Sequence, residues 1–172
     1  IPLRLVGSEM CKETDIDLGA IWIAKPYAAA AEYYIPAGAE ITGNINLNGK
    51  FSPHSAPVLY VAGKLTLNAS VTIGQATLAV LPGGEVYIRE AKANLQQNAV
   101  YPAIYVFEGG TFTTDQTSFS CKTIVNEGTF VVNGLFDVNN SCEFYNGATG
   151  VLQAGEVEVT NYAKLYNDGQ AE

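Results

Sequence analysis

Short apolar runs that end in a glycine turn recur along the chain. They are Leu59-Tyr60-Val61-Ala62-Gly63, Leu78-Ala79-Val80-Leu81-Pro82-Gly83-Gly84, Ile104-Tyr105-Val106-Phe107-Glu108-Gly109-Gly110, Ile124-Val125-Asn126-Glu127-Gly128, Phe144-Tyr145-Asn146-Gly147 and Leu165-Tyr166-Asn167-Asp168-Gly169. Their first residues step by 19, 26, 20, 20 and 21 positions. The long step predicts an insertion around residues 93–98. After the turns come alternating strands, Leu65/Leu67, Val86/Ile88, Phe112/Thr114 and Phe130/Val132. A second alternating set follows: Val71/Ile73, Phe119/Cys121, Phe136/Val138 and Val157/Val159. Alternation at period two gives a strand one buried and one wet face.

Three strands of three or four residues and three turns fill about 20 residues. An antiparallel sandwich also has short strands at regular spacing, but it does not make every third strand alike. Stacked rungs do, because equivalent strands lie side by side in one parallel sheet. The expected fold is all-β: a three-sided, single-stranded parallel β-helix, with repeats over residues 33–172. Parallel crossovers are overwhelmingly right-handed. The six-residue spacing of Leu59, Leu65 and Val71 resembles left-handed hexapeptide prisms, but the irregular rung lengths favour the right hand. Tyr34-Ile35-Pro36-Ala37-Gly38 opens the first rung. Residues 1–32 do not repeat and carry Ile21-Trp22-Ile23 and an alanine run; they are expected to cap a raw sheet edge.

Asn126, Asn146 and Asn167 fall where earlier rungs carry Val61, Val80 and Val106. That position points inward, and a buried amide is costly unless its donors and acceptors are paired. A ladder in which each Asn bonds its copy on the next rung satisfies them; ordinary turn asparagines before glycine are the alternative. Cys121 and Cys142 lie one rung apart, within reach of a disulfide, and serve equally as small core residues.

Of the 172 residues, 48% are apolar and 15% charged, enough apolar surface for a sizeable core. Nine basic and 17 acidic residues leave a net charge of −8, so nucleic acid is not expected as a partner. No stretch reaches the roughly 20 apolar residues of a membrane span. The chain opens Ile1-Pro2-Leu3-Arg4 with no start Met, which fits removal of an export signal.

The phrases Tyr34-Ile35-Pro36-Ala37-Gly38, Leu59-Tyr60-Val61-Ala62-Gly63 and Phe144-Tyr145-Asn146-Gly147 resemble β-solenoid repeats of secreted proteins from Bacteroides-type bacteria, in particular the LruC-domain-containing family. A looser likeness is to β-helical passenger domains of autotransporter adhesins. The resemblance covers about residues 33–169 and implies a β-solenoid in the cell envelope or outside the cell. It transfers no active site.

Chemistry is sparse. His54 stands alone in Ser52-Pro53-His54-Ser55, so neither a metal site nor a cofactor is expected. The outward positions of the third strand read Thr72, Ser120, Asp137 and Glu158. Asp137 and Glu158 on neighbouring rungs would stand roughly 5–6 Å apart, near the carboxylate spacing of retaining glycosidases. The first strand presents Tyr60, Ala79, Tyr105, Val125, Tyr145 and Tyr166 outward. Its four tyrosines form a candidate ligand-binding column for glycan or another surface protein. Stacked rings also simply stabilise a sheet. On the second strand Thr66, Tyr87, Thr113, Val131 and Leu152 are read as outward, a partly apolar wall suited to self-association. The expectation is a non-enzymatic, adhesin-like surface or secreted module; the alternative is a polysaccharide-cleaving β-helix enzyme.

Overall fold

A computed structural model describes residues 32–43, 46–48, 58–67, 72–74, 77–89, 94–96, 103–115, 118–119 and 123–172. Residues 1–31 of the proposed cap, His54 and Cys121 lie outside the described residues, and Glu32 opens the first strand of the repeat. The described chain is all-β, and every strand pairing in it is parallel.

The first sheet stacks β1 (Glu32–Ile35), β4 (Val58–Val61), β7 (Thr77–Val80), β10 (Ile104–Val106), β13 (Thr123–Asn126), β15 (Glu143–Asn146) and β17 (Lys164–Asn167), in that order. The second stacks β2 (Glu40–Gly43), β5 (Lys64–Leu67), β8 (Glu85–Ile88), β11 (Thr111–Thr114), β14 (Thr129–Val138), β16 (Val151–Val159) and β18 (Gln170–Ala171). The third holds β3 (Asn46–Asn48), β6 (Thr72–Gly74) and β9 (Asn94–Gln96). On the later rungs β12 (Ser118–Phe119) pairs with the second half of β14, which pairs in turn with the second half of β16. The fold is a parallel β-solenoid.

Its register is the one the repeat predicts. Leu59, Leu78, Ile104, Ile124, Phe144 and Leu165 pair rung to rung in one column. The column mates from Leu59 to Phe144 are fully buried. Four readings need correction. Residues 94–96, taken as part of an insertion, form the strand β9 on β6. Phe119 pairs with Val138 and Ser118 with Asp137, a shift of two from the predicted match of Phe119 with Phe136 and Ser120 with Asp137. The second and third strands of the last long rungs run on as single elements; the β14 corner at Asn133 and Gly134 puts four residues between Val132 and Asp137, where three separate their partners Thr114 and Ser118. Leu152 faces inward at 2% exposure, in register with Phe130, and Gln153 holds the outward position. The turn after Asn146 is two residues longer than the turn after Asn126, which preserves the alternation and keeps Leu152 inside.

The core changes character along the axis. The early rungs fill it with Leu59, Val61, Leu65, Leu67, Leu78, Val80, Val86 and Ile88. The later ones use phenylalanine. Phe112 and Phe130 stack on adjacent rungs at 4.7 Å between ring centroids, and Phe136 meets Phe144 edge-on at 4.9 Å. Edge-to-face and offset pairs of this kind suit the ring quadrupoles.

One column is set by space. Gly63, Gly84, Gly110, Gly128, Gly150 and Gly169 each precede the second strand of a rung, and none could carry a Cβ without striking carbonyl oxygens or side chains of the preceding rung or its own turn. On Gly128 a Cβ would meet the carbonyl oxygens of Phe107 and Gly110. The rung that β1 opens carries Ala39 at this position. Gly128→Ala is expected to destabilise the fold by about 1–3 kcal/mol, the cost of overpacking a tight site. Ala39→Gly is expected to change stability by less than about 1 kcal/mol, since only backbone entropy is at stake. Urea unfolding of both variants measures the contrast.

Candidate functional site

The inward asparagines form a hydrogen-bonded ladder. Asn126 Nδ2 donates to Asn146 Oδ1 at 2.7 Å, and Asn146 Nδ2 donates to Asn167 Oδ1 at 2.7 Å. The amides also bond the start of the second strand on the later rung: Asn126 Nδ2 reaches the Val151 carbonyl and Asn146 Nδ2 the Gln170 carbonyl. Asn126 and Asn146 are buried. Each bond of the ladder runs from the amide nitrogen of the earlier rung to the amide oxygen of the later one. The earlier neighbour of Asn126 is Val106, which donates nothing. Asn126 Oδ1 accordingly has no hydrogen-bond partner among the described residues.

The outward tyrosine column exists, and β1 extends it to Tyr34. Its two halves differ. Over the early rungs Val58, Tyr60, Ala62, Ala79, Leu81 and Phe107 form a second buried cluster on the outer face, with Tyr34 and Tyr105 packed against it. Tyr60 is 1% exposed and donates its hydroxyl to Glu32 Oε1 at 3.4 Å. It therefore presents no ring to solvent and drops out of the candidate binding column. Tyr105 stacks on Phe107 at 4.2 Å. Burial, and then the charge of Glu127, raises its phenol above the ordinary value.

The later rungs carry an accessible cluster. Tyr145 and Tyr166 stack with centroids 4.6 Å apart and planes 8° apart. Each ring thus covers one face of the other. Lys164 Nζ donates to Glu143 Oε1 at 3.0 Å, and Tyr145 Oη donates to Glu143 Oε2 at 2.9 Å. All four side chains share the outward face, because Glu143 and Tyr145, like Lys164 and Tyr166, are two residues apart on paired strands. Tyr166, on the last strand of its sheet, is 42% exposed. The Lys164 ammonium is held above the usual lysine value, first by its bond to Glu143. Sequence reasoning picked out the tyrosines and missed Glu143 and Lys164. The signal was there: opposite charges stand at the same rung position, two residues before each ring.

The Asp137 and Glu158 carboxylates do stand on paired positions of adjacent rungs. Asp137 is already engaged, accepting from Asn139 Nδ2 at 2.7 Å and from Thr160 Oγ1 at 3.2 Å. Two of its acceptor positions are thereby taken.

A corner of the second sheet holds another cluster that the sequence did not announce. Tyr87 Oη donates to Asp115, with oxygens at 2.9 and 3.1 Å, and Asn133 Nδ2 donates to Asp115 Oδ1 at 2.7 Å. The Arg89 guanidinium lies 5.4 Å from the Tyr87 ring centre. These groups satisfy one another and staple three rungs. Tyr162 was also missed. It is 93% exposed and sits at φ +63°, in the turn where the rung below has Ser141. Cys142 is buried in the core; the pairing predicted for it involves Cys121, which is outside the described residues. Among the described residues no helix is long and apolar enough to cross a membrane. No group of three or more His, Cys, Asp or Glu among them gathers around a metal position.

A scan of protein-family models and searches of curated proteins and solved structures return no match to this chain.

Two outcomes test the geometry. Val106→Thr places a hydroxyl donor against the orphaned Asn126 oxygen at nearly constant volume. It is expected to be neutral or stabilising by up to about 1 kcal/mol, whereas Val80→Thr, with no acceptor beside it, is expected to cost about 1–3 kcal/mol. Thermal or urea unfolding of the pair distinguishes them. The second outcome concerns Tyr145, whose bond to Glu143 is the first cause of a raised phenol value. A phenol raised in the folded state contributes stability that is full below its unfolded value of about 10 and is lost as pH rises through the folded value. Absorbance titration at alkaline pH should show a late-ionising phenol that Tyr145→Phe removes and Glu143→Gln brings back toward the ordinary value.

Proposed function

We propose that this chain is a rigid, non-enzymatic module of the cell envelope or extracellular space, and that it binds a neutral saccharide on the outer face of its late rungs. The observation that carries the reading is the accessible Tyr145–Tyr166 stack with the Glu143–Lys164 ion pair beside it. One ring face of Tyr166 remains for the apolar face of a sugar, and the carboxylate and ammonium are placed to meet hydroxyls. The parallel solenoid supports the rings on a main-chain lattice, so little order is lost when a ligand docks. The envelope or extracellular assignment, and the kinship with secreted Bacteroides-type repeats, rest on the sequence phrases alone.

A flat two-ring site of this size suits weak, multivalent capture, with dissociation constants of roughly 0.1–1 mM for a single site. On an array of neutral and acidic oligosaccharides the chain should bind a neutral class. Tyr145→Ala combined with Tyr166→Ala should weaken that binding at least tenfold while the melting transition stays cooperative. Equal binding by the wild type and the double variant removes the tyrosine site. Release of reducing ends from any polysaccharide overturns the non-enzymatic reading.

A further inference from the structure

The outer face of the second sheet carries a polar depression, apart from the tyrosine stack on the first sheet. It lies on β5, β8 and β11, and β2 and β14 continue the sheet on either side. Six outward side chains wall it, as two columns on three successive rungs. Lys64, Glu85 and Thr111 make one column; Thr66, Tyr87 and Thr113 make the other. Residues within a column stand about 4.8 Å apart. The depression has a volume of about 240 Å³.

The placing of the Tyr87 ring accounts for the space. Its hydroxyl donates to Asp115, which also accepts from Asn133. The Asp115 N–H bonds the Ile88 carbonyl, so this carboxylate stands one rung on and further along the strand than Tyr87. Arg89, also further along, lies over the ring at 5.4 Å from its centre. Both contacts draw the ring away from Glu85, its outward neighbour on the other side. The ring face that looks back toward Glu85 then borders the depression.

The remaining walls are balanced in charge and rich in hydrogen-bonding capacity. Lys64 Nζ and Glu85 Oε2 meet at 3.2 Å, so their charges offset each other, and each side chain is more than half exposed. The ammonium keeps further donors and the carboxylate further lone pairs beyond that contact. The hydroxyls of Thr66, Thr111 and Thr113 have no hydrogen-bond partner among the described residues. Each of them can both donate and accept.

We propose that this depression is a separate binding site for one neutral pyranose ring. Sugar hydroxyls donate and accept in the same way as the threonine hydroxyls that meet them, and the apolar face of the sugar suits the open face of Tyr87. Offset charges give an ionic ligand no advantage over a neutral one. Pockets for drug-sized ligands measure roughly 300–1,000 Å³, so the smaller volume here holds a single ring rather than a chain. Asp115 and Asn133 act as positioning residues, because they fix the Tyr87 ring before any ligand arrives. The site shares no residue with the Tyr145–Tyr166 stack and does not rest on that reading.

The test follows backbone amide shifts of the isotopically labelled whole chain. The probes are the methyl pyranosides of glucose, galactose and mannose, with glucuronate as the charged counterpart. At least one neutral glycoside is expected to give saturable shifts on β5, β8 and β11, with a dissociation constant on the order of 1–10 mM. Tyr87→Ala should weaken this binding at least tenfold. Thr66→Val combined with Thr113→Val removes two hydroxyls at nearly constant volume, keeps residues that suit a strand, and should weaken it at least fivefold. Tyr145→Ala combined with Tyr166→Ala should leave it unchanged. No saturable shift on these strands with any of the three glycosides overturns the proposal. So does equal binding by the threonine variant, or tighter binding of glucuronate than of every neutral glycoside. Shifts confined to β15 and β17 overturn it while leaving the late-rung site standing.

Discussion

Parallel rungs in this protein approach so closely that the turn of one leaves no room for a side chain on the next. That contact, rather than any single bond, governs the rest. It places glycine at Gly63, Gly84, Gly110, Gly128, Gly150 and Gly169, and those glycines let the strands that follow them pair in register from their first residues. Once register is set, equivalent side chains of successive rungs lie about 4.8 Å apart. Columns of like residues then follow as a consequence.

The columns behave according to their chemistry. Aliphatic residues and phenylalanines bury against their own kind, which needs only apolar area and shape. Asparagine is directional, so its column has a beginning and an end. The beginning leaves an oxygen unpaired at Asn126, deep in the core beside Val106. Its last member among the described residues, Asn167, accepts from Asn146. A polar ladder inside a solenoid thus gives the stack a polarity that apolar columns lack.

The outer surface is likewise divided. Over the early rungs the first sheet buries a second apolar cluster on its outward side, and Tyr60 is lost to solvent there. Over the late rungs charges replace that cluster, and Tyr145 and Tyr166 share their face with Glu143 and Lys164. The lattice holds the two rings parallel, next to a cation and an anion. On the third side Asp137 accepts from Asn139 and Thr160.

Much of this was legible in the residues alone. The glycine-ended runs carry the period, the period carries the parallel register, and the register places Ile104, Ile124, Phe144 and Leu165 in one column and the asparagines in another. Such inferences hold because they depend only on spacing and on which side of a strand a residue falls. What failed depended on lengths the spacing leaves free. The third strand sits two residues off because the corner at Asn133 and Gly134 is one residue longer than that of the rung before it, where the spacing had implied one shorter, and Leu152 faces inward because it takes the register of Phe130, a turn longer by two leaving the alternation unchanged. Neither the burial of Tyr60 nor the meeting of Tyr87 with Asp115 could be read from the chain, since each joins residues whose separation follows no period. The sequence by itself determined a wound stack and the membership of its columns, because repetition encodes both. Only the tertiary structure decided which stretches of the outer wall stay open, because exposure depends on what packs above a column and not on the column's own pattern.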